Sequence, residues 1–340
     1  MIEILENGIA ISRPDQMYGW PGITRAANGD ILIAASERKF HVCPFGREVV
    51  VRSADNGRSW SLPQEVYDSE LDDRDANLLT MPDGTIILSW FTSTAFAGEP
   101  WEGRTARVTE RMRDELIGSW FIRSSDHGKT WEKQARRMPT GMHISPVLLS
   151  DGSLISIGFE DRLMEKRRLC AYKSFDGGET WTEAAKIGDE SMMLNENHVL
   201  DVGNGRLIGL FRKCNDCLRQ AVSDDYGQTW STPEPTGIKG YPAQMIKLHN
   251  GDILCVYGHR WQPYSIRGVL SHDNGTSWDI ENTFTIYEWE DKPDMGYPSS
   301  LEIEPGEILT VFYCSRRGVV PWHEAVQPEG ILYTRYRLKI

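Results

Sequence analysis

The chain has 340 residues, of which 40% are hydrophobic and 25% charged, with a formal net charge of −12. This is the composition of a globular chain with ample core, and collagen-like, coiled-coil and disordered classes fail on it. Its acidity argues against a nucleic-acid partner, whose binding rests on phosphate neutralisation, and no apolar run reaches the roughly 20 residues a membrane-spanning helix needs.

The N-terminal segment, MIEILENGIA, has neither a basic start nor a long apolar run. It reads as a strand, no signal peptide is visible, and the expectation is a cytoplasmic protein. Six cysteines are too sparse for a disulfide framework. Cys214-x-x-Cys217 has no second pair to complete the four ligands of a zinc site. No metal and no cofactor is expected.

Two repeats alternate from there on. The first is an apolar strand, a Gly-containing turn and a second apolar strand, at residues 28–35, 83–90, 151–158, 204–211, 250–257 and 305–312. Each reads as a β-hairpin on its turn signal. The second repeat is Ser-x-Asp-x-Gly-x-(Ser/Thr)-Trp, starting at Ser53, Ser124, Ser174, Ser223 and Ser271, with intervals of 71, 50, 49 and 48 residues. Asp accepts bonds within its own turn, Gly takes a positive φ, and Trp buries itself against the next hairpin. Six inner hairpins and five box hairpins make six four-stranded units of about 50 residues, the period of a β-propeller. The prediction is an all-β, six-bladed propeller of four-stranded antiparallel blades, spanning residues 1–340 as one domain. The last unit has no box, so Gly330–Leu338 and Ile2–Ile11 are expected to supply its outer strands and close the ring. The long interval marks an insertion in blade two at about residues 92–118. It contains Phe96, Trp101, Arg104 and Arg107, and residues 105–116 could form a short helix. A lid over the mouth and an oligomer contact are its two readings.

In such a blade the start of strand one and the end of strand two lie opposite the box turns, around the central opening. Nine residues before each hairpin glycine stand Trp20, Asp75, His143, Glu196, Pro242 and Tyr297. Just past strand two stand Glu37 and Arg38, Arg162, Arg212, and His259 and Arg260. Titratable groups converging on one axis read as an active site; pairing into structural ion pairs is the competing reading.

The five boxes resemble the Asp-box repeats of bacterial neuraminidases, and the chain is similar over nearly all its length to sialidase-type propellers. In that family a Tyr activated by a Glu attacks the sugar, an arginine triad grips the substrate carboxylate, and an Asp serves as acid/base. NENHVLDVGNGRLIGLFRKC resembles the segment carrying the Glu and one Arg, which implies Glu196 and Arg212. MGYPSSLEIEPGEILTVFY resembles the nucleophile segment, which implies Tyr297. Arg260 or Arg267 could supply the further arginine. Two departures stand out. Gly19, in Tyr18-Gly19-Trp20-Pro21, occupies the place of the first arginine, for which Arg13, Arg25 or Arg38 could compensate. The loop at residues 37–47 has no Asp, so Glu37, His41, Asp75 or His143 could donate the proton.

The resemblance implies a glycoside hydrolase for an acidic sugar, sialic acid or a relative, with Arg38, Arg162, Arg212, Arg260 and Arg267 lending local positive charge and Trp20 and Trp261 stacking on sugar rings. A uronic-acid hydrolase or lyase using Tyr297 and His143 is the alternative within the same class. A glycan-binding propeller without catalysis is the alternative outside it.

Overall fold

Apolar alternation and Gly turns produce short antiparallel strands throughout. A computed structural model of the chain describes residues 2–95, 108–141, 145–163, 165–290, 294–315 and 330–339. The strands form six four-stranded antiparallel sheets arranged as a propeller. Blade one holds Met17–Arg25, Ile31–Arg38, Arg47–Ser53 and Gln64–Tyr67, and blade two holds Asp72–Thr80, Ile86–Ser93, Gly118–Ser124 and Arg136–Arg137. Blade three begins at Val147–Leu148, blade four at Leu194–Gly203 and blade five at Ala243–Lys247. Blade six is composite. Asp294–Glu304, Glu307–Ser315 and Gly330–Leu338 are completed by Ile2–Ile11, which pairs antiparallel with Gly330–Leu338 from Ile2 opposite Leu338 to Ile11 opposite Ile331. The closure expected from the sequence is the one found.

The boxes build five nearly identical turns. In each, the Gly amide donates to the box Ser hydroxyl at 2.7–2.8 Å. The Asp accepts from the backbone amide four residues on at 2.8–2.9 Å. The core is divided among the seams between blades. One apolar cluster joins blades six and one through Leu309, Val311, Ile31 and Val51, and comparable clusters fill the other five seams. The six blades are thereby joined into one ring.

In the blade-two insertion, Glu110–Glu115 forms a helix capped by the Thr109 side chain. It docks through Val108, Met112 and Leu116 beside buried Leu71 and Ile117. The aromatic residues and arginines proposed for a lid, Phe96, Trp101, Arg104 and Arg107, lie outside the described residues. Among the described residues no helix is long and apolar enough to cross a membrane.

Candidate active site

The first strands of blades one, two, four and six all lose register at the counted ring position. The slips fall between Gly19 and Gly22, Arg74 and Asn77, Leu194 and Asn197, and Gly296 and Ser299. Trp20, Asp75 and Tyr297 sit there with φ of 53°, 64° and 51°. Left-handed non-glycine residues cost on the order of 1–3 kcal/mol each and gather where a side chain must be re-aimed.

The bulges open onto a cavity of about 320 Å³ lined by His41, Arg74, Asp75, Glu196, Arg212, Arg260 and Tyr297, with Phe91 among its apolar walls. At its centre the Tyr297 hydroxyl donates to Glu196 Oε1. Arg212 Nη1 donates to Glu196 Oε2 at 2.5 Å and lies 3.4 Å from Tyr297 Oη. The Arg212 guanidinium also rests 4.4 Å from the Tyr241 ring centroid. Burial, reinforced by the negative charges of Glu196 and Asp75, pushes the Tyr297 phenol well above its usual range. The phenol therefore keeps its proton until a group takes it, and Glu196 is hydrogen-bonded to that proton.

Asp75 is 4% exposed, and burial pushes its carboxyl up to about 7, with the charge of Arg74 opposing and that of Glu196 adding to the rise. Arg260 faces the Tyr241 and Tyr297 rings at 5.7 and 5.9 Å. Its Nε and Nη2 are buried and carry no hydrogen bond among the described residues, and Nε of Arg212 and of Arg74 share that state. Buried donors without acceptors are costly, and the three arginines that carry them all line the one cavity, where their positive charge suits an incoming anion. Gly296 makes room for Arg260: a Cβ there would meet Arg260 Nη2 at 3.2 Å.

Tyr297, Glu196, Asp75, Arg212 and Arg260 are thus brought together. Arg38 is not. Fully buried, it pairs with Asp72 and donates from Nε to Phe40 O at 3.0 Å. Trp20 is 2% exposed, with Arg38 and Arg74 at 4.7 and 4.4 Å from its ring centroid, so no face remains open to a sugar. Arg162 binds Arg113 O and Asp114 of the insertion helix instead of the cavity. Arg267 donates to Ser265 Oγ at 3.0 Å, away from the lining groups. Glu37 is held by Tyr18 and Arg47. His143 lies outside the described residues. Arg74 and Asp294 were not singled out from the sequence. Arg74 precedes a counted residue, where strand alternation would send it to the other side. Asp294 begins the blade-six strand and accepts at Oδ2 from His41 Nδ1 at 2.5 Å. Among the described residues, no group of three or more His, Cys, Asp or Glu side chains is placed to hold a metal ion.

Residues 46–309 match the BNR repeat-like domain. The chain belongs to the BNR repeat-like family. Solved structures similar to this BNR repeat-like chain include a protein of unknown function from Dyadobacter fermentans, at 20% identity, TM-score 0.80 and 99% coverage of each chain. A Hadza microbial sialidase matches at 17% identity and TM-score 0.68, over 95% of this chain and 66% of that one. The NanB sialidase of Streptococcus pneumoniae matches at 12% identity and TM-score 0.72, over 97% and 70%. The chain thus spans about two thirds of these two sialidases' length, and at such identities the likeness is one of fold. A comparison with curated proteins found no match. The fold is that of a sialidase-like BNR propeller.

Proposed function

We propose that the protein is a glycosidase that removes an acidic sugar, sialic acid or a close relative, through a covalent intermediate on Tyr297. The observation that carries the reading is the Tyr297–Glu196–Arg212 hydrogen-bonded set on the cavity floor. Tyr297 Oη attacks the anomeric carbon while its proton passes to Glu196 Oε1. A neutral phenol approaches a carbon beside a substrate carboxylate with less repulsion than a carboxylate nucleophile would. Arg74, Arg212 and Arg260 line the cavity and supply the positive charge that receives the substrate carboxylate. Asp75, protonated up to about pH 7, can donate a hydrogen bond to a sugar oxygen and leaves the arginine charge uncancelled. A volume of about 320 Å³ is at the small end for ligand pockets and favours one terminal sugar over an internal segment of a chain.

The test is hydrolysis of a nitrophenyl α-sialoside by wild type and Tyr297→Phe, with binding of the free sugar acid measured alongside. Expected are turnover by wild type, a loss of at least about 10³-fold in kcat for the variant, and binding retained. Absence of wild-type turnover would remove sialic acid and direct the assay to uronic-acid glycans, where an unsaturated product would identify elimination. Binding with no turnover of any glycan would make the propeller a recognition module.

A further inference from the structure

The geometry points to His41, oriented by Asp294, as the acid/base that protonates the leaving group and then deprotonates the hydrolytic water. This assignment rests on the glycosidase reading above and supplies the proton-transfer partner that reading lacks.

The loop between the second and third strands of blade one carries His41 to the cavity rim, where its ring meets the Trp20 edge at 5.2 Å. The same Trp20 lies edge-on to Tyr297 at 6.2 Å, so one buried indole braces the nucleophile and the imidazole. The loop is anchored one residue earlier, where Arg38 holds Phe40 O from its buried pair with Asp72. Asp294, from blade six, is nearly buried and has both oxygens engaged: Oδ2 with His41 Nδ1 at 2.5 Å, Oδ1 with the Tyr313 hydroxyl at 2.7 Å. Burial would raise the Asp294 carboxyl, but the hydrogen bond and charge of His41 and the Tyr313 hydroxyl hold it below its usual value. A carboxylate fixed on Nδ1 sets the ring orientation and leaves Nε2 as the nitrogen that exchanges protons.

Asp75 is the competing donor, and solvent access separates the two. The Asp75 side chain is 5% exposed, whereas that of His41 is 40% exposed. An acid/base must work on the leaving group's side and then on a water arriving from solvent. Asp75 lines the same cavity, but its carboxyl is buried against Arg74, whose Nε lies 3.9 Å away.

The reaction takes two proton-balanced steps. In the first, the bond from Tyr297 Oη to the anomeric carbon forms, the Tyr297 proton goes to Glu196, the glycosidic C–O bond breaks, and His41 Nε2 gives its proton to the departing oxygen. In the second, water attacks the anomeric carbon and gives a proton to His41 Nε2. The bond to Tyr297 breaks and the phenoxide recovers its proton from Glu196.

The experiment compares kcat/KM of wild type, His41→Asn, Asp294→Asn and Asp75→Asn on a nitrophenyl α-sialoside and on α-sialyl-lactose, whose leaving group needs protonation. His41→Asn is expected to lose about 10²–10⁴-fold on the lactoside and less than about 10-fold on the nitrophenyl substrate. Asp294→Asn should show the same selectivity at about 10–100-fold, whereas damage to the fold would lower both substrates alike. Should His41→Asn fold poorly, His41→Gln in azide replaces it, with faster nitrophenyl release and a glycosyl azide product expected. Equal losses on both substrates, no loss, or leaving-group selectivity in Asp75→Asn alone would overturn the assignment while the glycosidase reading stands. A wild type inactive on both substrates would overturn that reading and this assignment together.

Discussion

Replacing Asp75 by Asn should stabilise the protein, and only above mildly acidic pH. The Asp75 carboxyl is held at about 7 chiefly by burial, against a usual value of 3.8. Below about pH 4 it is protonated in the folded and unfolded chains alike and contributes no difference. As pH rises, the unfolded chain's carboxyl ionises near 4 while the buried one keeps its proton until about 7. Folded wild type therefore loses stability through that window at about 1.4 kcal/mol per pH unit, reaching about 4 kcal/mol by pH 8. Asparagine has no proton to lose, is isosteric, and tolerates the φ of 64° this position imposes. Arg74, whose Nε lies 3.9 Å from Asp75, keeps Asp72 at 3.5 Å. The assay is urea denaturation of both proteins at about pH 4.5, 6 and 8. The stability difference should grow in favour of Asp75→Asn across the series and level off above about pH 7. Curves that stay parallel at every pH would refute the argument that burial sets this carboxyl.

Two further outcomes are expected. Asp72→Leu strands Arg38, buried at 0% exposure, and should cost about 3–5 kcal/mol; adding Arg38→Met should recover most of the loss, as denaturation midpoints of the single and double variants will show. Gly275→Ala puts a Cβ 2.0 Å from Ile208 Cδ1 at φ +75° and should cost about 2–4 kcal/mol, whereas Gly152→Ala, at φ +84° with nothing within 4 Å, should cost only the backbone strain of about 1–2 kcal/mol in the same thermal-unfolding assay.

The architecture was legible because its signals are local and repeated. Box turns and Gly hairpins recur at blade spacing, and the missing sixth box left Ile2–Ile11 and Gly330–Leu338 as the strands that had to meet. The site was legible where it obeyed a count from the turn, as Asp75, Glu196 and Tyr297 did. Arg74 escaped because alternation sends neighbours to opposite faces, and the bulge between Arg74 and Asn77 suspends that rule where the cavity needs both residues. Trp20 obeyed the count yet lies beneath the cavity wall, since Arg38 and Arg74 cover its ring; periodicity places a side chain without saying what packs over it. The His41–Asp294 contact joins residues 253 positions apart in blades one and six, a separation that no local pattern encodes.

Blade six joins Ile2–Ile11 to Gly330–Leu338, strands far apart in sequence, and that orders events during synthesis. While a ribosome still holds residues 330–338, Ile2–Ile11 has no partner strand and the ring is a crescent with one open seam. Glu196 is already emplaced in blade four, but Tyr297 and Asp294 belong to the blade that finishes last. The cavity that Glu196 and Tyr297 share should therefore be assembled in one step as blade six closes, and a nascent chain displaying five completed blades should still lack it.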